Sequence, residues 1–135
     1  MKAEDLMIGD WVIRKGVPEE PMRLYDMKAS AGNAYLDQDG RGVTEKFENI
    51  EPIVLTEEIL EKNNFHSKED FYNHKKFFFL GKNEYNLDVY LDNKSIILIE
   101  SYYEPTVYAY MCDCEYVHQF QHILKDLKIN KEIKL

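Results

Sequence analysis

Cysteine is scarce. Cys112 and Cys114 are the two in 135 residues, too few for a disulfide framework. One residue apart on an extended chain, they point the same way and rarely close a relaxed bridge. Reduced thiols and a cytoplasmic location follow as the expectation. Long apolar runs are missing too. No stretch reaches the ~18 residues of a membrane span, and "MKAEDLMIGDW" lacks the apolar core of a signal peptide. Positive charge is also short: 17 Lys and Arg against 25 Asp and Glu leave a formal charge of −8, with no basic block. A protein that draws its affinity from neutralising phosphates needs one, so nucleic acid is not an expected partner. The acidic balance serves solubility first and basic partners second. Dinucleotide, P-loop and nucleophile-elbow motifs do not occur, so no cofactor is expected. Nothing selects a catalytic pair among the carboxylates.

What is present is an ordinary apolar share, 44%, rich in aromatics, with ten tyrosines. That suffices for one compact domain or two small lobes. The first part reads as short strands broken by turns: "DWVIRKG", "MRLYDMKA", "NAYLDQ" and "VTEKFENIEPI", with Gly40 or Gly42 of "DGRG" free to take positive φ. Strands at this spacing predict a small barrel of the SH3-like kind over residues 1–54. The ring of Trp11 should pack into that barrel or its seam. Thr56 is placed to cap a helix over "EEILEKN", ended by Asn63-Asn64. Ser67, with Asp70 three residues on, predicts a second capped turn at "KEDF".

The second half changes period. "KKFFFLG", "YNLDVYLDN", "SIILIES" and "TVYAYMCD" read as strands of an antiparallel meander, with "IILI", apolar on both faces, inside it. A helix should start near Asp113 to Tyr116 and run to about Leu127, and "KEIKL" should return as an edge strand. The fold class is thus α+β: an N-terminal SH3-like barrel at 1–54, then a sheet packed by the C-terminal helix at 55–135. The two parts can also form one continuous unit.

On that helix, Tyr116, Val117, Phe120, Ile123, Leu124 and Leu127 share one arc, and His118 and His122 lie nearly opposite. The histidines should therefore face water, where replacing both with Gln changes stability by no more than about 0.5 kcal/mol. The sharper alternative is metal. "HQFQH" has the outline of a zincin helix, but Gln119 stands where the general-base Glu is needed and cannot take a proton from zinc-bound water. Cys112, Cys114, His118 and His122 supply four ligands of the right type for structural zinc, without the usual knuckle spacing. The expectation is no metal site. "LDQDGRG" matches a calcium loop at Asp37, Asp39 and Gly40. Its first position falls on Tyr35 and its twelfth on Lys46, so a hairpin turn is the better reading. A thiol nucleophile is disfavoured because Asp113 and Glu115 surround the cysteines with negative charge.

Tyr102, Tyr103, Tyr108 and Tyr110 cluster around Glu104-Pro105. They are either cross-strand pairs within the fold or anchors of an interface. If the fold does not use them, a two-fold homodimer through that surface is the simplest closed assembly. Three stretches, "MKAEDLMIGDWV", "IEPIVLTEEILEKNNF" and "YVHQFQHIL…KEIKL", together resemble small uncharacterised proteins of gut Bacteroides-type bacteria and their mobile elements. The resemblance covers both ends and the junction, but not Asn73 to Cys114. It implies a bacterial cytoplasmic protein and carries over no functional residue. The favoured function is a non-catalytic module that binds a protein partner. The alternative is an enzyme of unrecognised type with a site between barrel and sheet; a structural zinc protein comes third.

Overall fold

The computed structural model describes residues 1–82, 85–100 and 107–135. Two compact units emerge: Met1–Val54 with Tyr116–Glu132, and Leu55–Glu115 with Ile133–Leu135. The chain therefore divides at Val54/Leu55, where the sequence divides it. Residues 116–132, which the sequence assigns to the second lobe, group instead with the first. Each unit carries one five-stranded antiparallel sheet, and the fold is α+β.

The first sheet runs β1 (Trp11–Arg14), β2 (Val17–Lys28), β3 (Asn33–Gln38), β4 (Arg41–Lys46) and β5 (Ile50–Pro52), in the order β4-β3-β2-β1-β5. Alternation explains its core: Met22 and Leu24 of β2 and Ala34 and Leu36 of β3 point inward with Val12 and Ile50. A period of two sends every second side chain to one face. The β3–β4 turn is a two-residue Asp39-Gly40 hairpin between paired Gln38 and Arg41, with φ of 50° and 83°. Both central residues take the left-handed region, so a Gly and an Asp suit the turn. Trp11 is half-buried, with the Arg23 guanidinium 4.7 Å above its ring, a cation–π contact. α2 (Val117–Asp126) completes this unit.

In the second unit α1 (Glu57–Lys62) starts where expected: Thr56 Oγ1 accepts from Ile59 N at 3.4 Å. The second sheet holds β6 (His66–Glu69), β7 (Lys76–Lys82), β8 (Tyr85–Tyr90), β9 (Ser95–Glu100) and β10 (Val107–Asp113), in the order β10-β9-β8-β7-β6. Here β9, the "IILI" strand, lies between β8 and β10, as its two-sided apolarity requires. Phe78, Leu87, Val89, Ile96 and Leu98 bury one face.

Two local expectations fail. Ser67 caps nothing: it lies in β6 opposite Phe78, because pairing with the aromatic β7 satisfies a backbone that one helical turn would leave half-bonded. "KEIKL" forms no strand. Its backbone is held by Asn63, whose Nδ2 donates to Lys134 O at 2.7 Å and whose Oδ1 accepts from Lys134 N at 2.9 Å. Asn63 Nδ2 also donates to Ile59 O at 2.7 Å, and Asn63 is buried. One amide thereby ends α1 and fastens the C-terminal segment, letting Ile133 bury. Asn63→Ala should cost about 2 kcal/mol in a thermal melt, because it strands the Lys134 N–H and carbonyl that the amide pairs. It should also speed amide exchange at Ile133 and Lys134.

Candidate functional site

The residues of this site come from the N-terminal turn and the first turns of α2. In "MIGD" Gly9 takes φ of 98°. The turn closes through Asp10 N donating to Met7 O at 3.1 Å and Gly9 N donating to Leu24 O at 2.7 Å. The Asp10 carboxylate accepts from Met7 N at 2.7 Å and is 2% exposed. A buried carboxylate demands further donors, and α2 supplies one: His122 Nε2 lies 2.9 Å from both Asp10 oxygens. One residue earlier, Gln121 donates from Nε2 to Gly9 O at 3.1 Å and accepts from Trp11 N at 3.0 Å. Gln119 Oε1 accepts from Tyr116 N at 3.1 Å and caps the helix start. The residue that breaks the zincin pattern therefore serves as a helix cap.

The histidines do not face water, and this corrects the expectation from periodicity. His118 is 5% exposed, and His122 is tied to Asp10 with its side chain 24% exposed. The apolar arc is buried as expected, at Val117, Phe120, Ile123 and Leu124. The opposite side of the first turns is covered as well, because Glu4, Asp5, Pro52 and Tyr116 gather there around a pocket of about 400 Å³. His118 stacks on Tyr116 (centroids 5.9 Å apart, planes 15° apart) and meets His122 edge-on at 5.8 Å. Its Nδ1 is sealed without a hydrogen-bond partner among the described residues. Burial holds the His118 imidazole below its usual range. Asp10 pulls it upward, His122 adds to the lowering, and Asp5 again raises it.

The four zinc candidates do not assemble into a ligand set. Cys112 and Cys114 belong to the second unit, His118 and His122 to the first. Among the described residues no group of three or more His, Cys, Asp or Glu side chains is placed to hold a metal ion. Burial pushes the Cys114 thiol up to about 12, with Cys112 adding to it, so it is a protonated, inert side chain. Asp37, Asp39 and Gly40 of the calcium-like stretch form the β3–β4 hairpin, where Asp37 Oδ2 accepts from Gly40 N at 3.4 Å.

Tyr102 and Tyr103 lie outside the described residues. Tyr108 and Tyr110 fall in β10, opposite Ile99 and Leu98 across a bulge, and their side chains are likewise outside the description. A different aromatic pair stands out. Phe71 and Tyr72, 86% and 90% exposed, occupy the β6–β7 turn with rings edge-on at 5.5 Å. Asp70 Oδ1 accepts from Tyr72 N at 2.8 Å and Asn73 N at 3.1 Å, and Asp70 N donates to Lys75 O at 2.8 Å. The turn is thus built by its own backbone bonds while both rings stay in water. In the same unit Asp88 of β8 is 7% exposed, between Phe79 and Ile97 on neighbouring strands. Burial raises its carboxyl to about 6, against a smaller opposing pull from Lys68.

No protein-family model, no curated protein and no solved structure matches this chain. No helix among the described residues is long and apolar enough to cross a membrane.

Replacing both His118 and His122 with Gln should lower stability by about 2–4 kcal/mol, since Asp10 loses its buried donor. A chelator should leave the wild-type melt unchanged. The two buried titratable groups act in opposite directions on the acid side of neutrality. The unfolded chain protonates His118 more readily than the folded one, so stability falls as pH drops below about 6.5, and His118→Phe should flatten that slope. Folded Asp88 instead holds its proton up to about 6, against 3.8 for the ordinary group, so stability falls as pH rises through that window. Asp88→Asn should gain roughly 2 kcal/mol at pH 8 and almost nothing at pH 4, read by paired melts.

Proposed function

We propose that the protein is a non-catalytic module that binds a protein partner, and that Phe71 and Tyr72 are its anchor. The observation carrying this reading is their near-complete exposure on a turn that Asp70 holds in one shape. Large aromatics with few rotatable bonds contribute most to an interface when little freedom is lost on docking. The acidic charge of −8 argues against nucleic acid as that partner. A cytoplasmic location belongs to the same reading, supported by Cys112 and Cys114 being thiols, as does kinship with the Bacteroides-type proteins. The finer barrel reading is supported by β1 pairing with both β2 and β5, which brings the first and last strands of the unit's sheet together. A two-fold homodimer is a separate proposal, and a monomer by light scattering at high concentration removes it.

A second reading, an enzyme of unrecognised type, has one observation in its favour: the Asp10–His122 couple stands beside a pocket. All the lining residues of that pocket belong to the first unit. A buried carboxylate that orients an imidazole is an ingredient of acid–base chemistry, but no Ser, Thr, Cys or Lys is among the lining residues of that pocket.

Replacing Phe71 and Tyr72 together with Ala should leave the melt within about 0.5 kcal/mol of wild type, since neither ring is packed. A partner captured by the wild type from the source cells, then purified, should bind the double variant at least about tenfold more weakly by direct titration. Equal affinity for both proteins would sink the reading.

A further inference from the structure

We propose that the pocket at the start of α2 is a binding site for a small organic cation, a primary amine or guanidinium compound. This goes beyond the protein-binding reading and uses none of its residues.

The first ground is the unmatched chemistry of the walls. His118 is 95% buried by its 5% exposure, lines the pocket, and makes no hydrogen bond among the described residues. Buried polar groups are almost always paired, so one that is not marks a place where a partner is missing. Burial favours its neutral form, and a neutral imidazole offers one lone-pair nitrogen, an acceptor. His122 points the same way. Its Nε2 is engaged by both Asp10 oxygens, which leaves Nδ1 on the other edge of the ring. A ligand that brings N–H donors answers the acceptor nitrogen of such a ring.

The second ground is charge. Glu4 and Asp5 line the pocket and no Lys or Arg does; the Met1 ammonium, also from a lining residue, is engaged by Phe47 O at 2.8 Å and Ile50 O at 3.0 Å. Lys2 pairs with Glu4 at 3.4 Å, but both side chains are about three-quarters exposed, 78% and 74%, so the pair is weak and screened. Asp10 adds a third carboxylate behind His122. A phosphate or carboxylate ligand would meet two carboxylates against the one engaged Met1 ammonium, whereas an ammonium or guanidinium group finds both carboxylates beside the Tyr116 ring. About 400 Å³ suits a compact metabolite rather than a peptide.

Agmatine, which carries both cationic groups, and butyrate, its anionic contrast, serve as probes of isotope-labelled full-length protein by NMR. Agmatine should shift the ring signals of His118 and His122 saturably, with a dissociation constant of about 1 mM or below, and butyrate should not. Glu4→Gln with Asp5→Asn, both at exposed positions, should weaken agmatine at least about tenfold. His118→Phe, which keeps the stack on Tyr116 and removes both ring nitrogens, should do the same. Should His118→Phe fail to fold, the carboxylate double variant decides alone. The proposal is overturned by shifts that do not saturate up to about 20 mM agmatine, by butyrate binding as well as agmatine, or by wild-type affinity in the carboxylate variant.

Discussion

The first unit is organised around a carboxylate with almost no access to water. Asp10 is 2% exposed, and a carboxylate at such depth needs donors aimed at it, because an unpaired charge there costs several kcal/mol. It receives Met7 N from its own turn and His122 Nε2 from a helix 112 residues later in the chain. Gln121 doubles the link by bonding the backbone on either side of Asp10, at Gly9 and Trp11. These bonds fix the rotation of α2 about its axis as well as its position. With that rotation set, His118 is carried under the N-terminal segment and out of water. The burial of His118, the pocket and the grouping of 116–132 with the N-terminal strands all follow from the same clasp.

Most of the framework was legible because it is written in local rules. The strand spacing, the Asp39-Gly40 hairpin, the Thr56 cap and the extent of α2 each depend on neighbours in sequence. The failures have a common cause. Helical periodicity locates the side opposite the apolar arc but cannot say whether that side meets solvent or a distant segment. For α2 the answer lay in residues 4–10, and no pattern within 116–127 contains it. A signal did exist: a lone Asp after a positive-φ Gly, at the start of a strand, is a candidate buried acceptor, and the chain offers few basic partners for it. "KEDF" and "KEIKL" failed likewise, through pairing with "FFF" of β7 in one case and capture by Asn63 in the other. Both are long-range contacts that override local propensity.

The two units treat ionisable groups in one manner. His118 and Asp88 are both pushed by burial toward the uncharged form, and Cys114 is kept as a thiol by the same desolvation. Because one is a base and one an acid, their contributions to stability change in opposite directions with pH: a fall below about 6.5 costs stability through His118, and a rise from 3.8 to about 6 costs it through Asp88. On these groups alone the two losses overlap on the acid side of neutrality, and above about pH 7 neither changes stability further. The exposed ion pairs, such as Lys76 with Glu57 at 2.9 Å, add little to this balance because solvent screens them.

The glutamines of "HQFQH" explain why this helix resembles a peptidase motif without sharing its chemistry. A Glu at 119 could still accept from Tyr116 N, so capping alone does not select Gln. Its charge, however, would be a third negative group lining the pocket with Glu4 and Asp5, while Asp10 lies behind His122. That added negative charge would pull His118 toward its charged form. Gln119 supplies the same acceptor without the field. Gln121 must give a donor to Gly9 O and an acceptor to Trp11 N at once, which a carboxylate cannot do at neutral pH. Both positions therefore call for an amide on independent grounds. The substitution that removes the general base of a zincin is the one that keeps a further charge away from the two histidines and the buried aspartate.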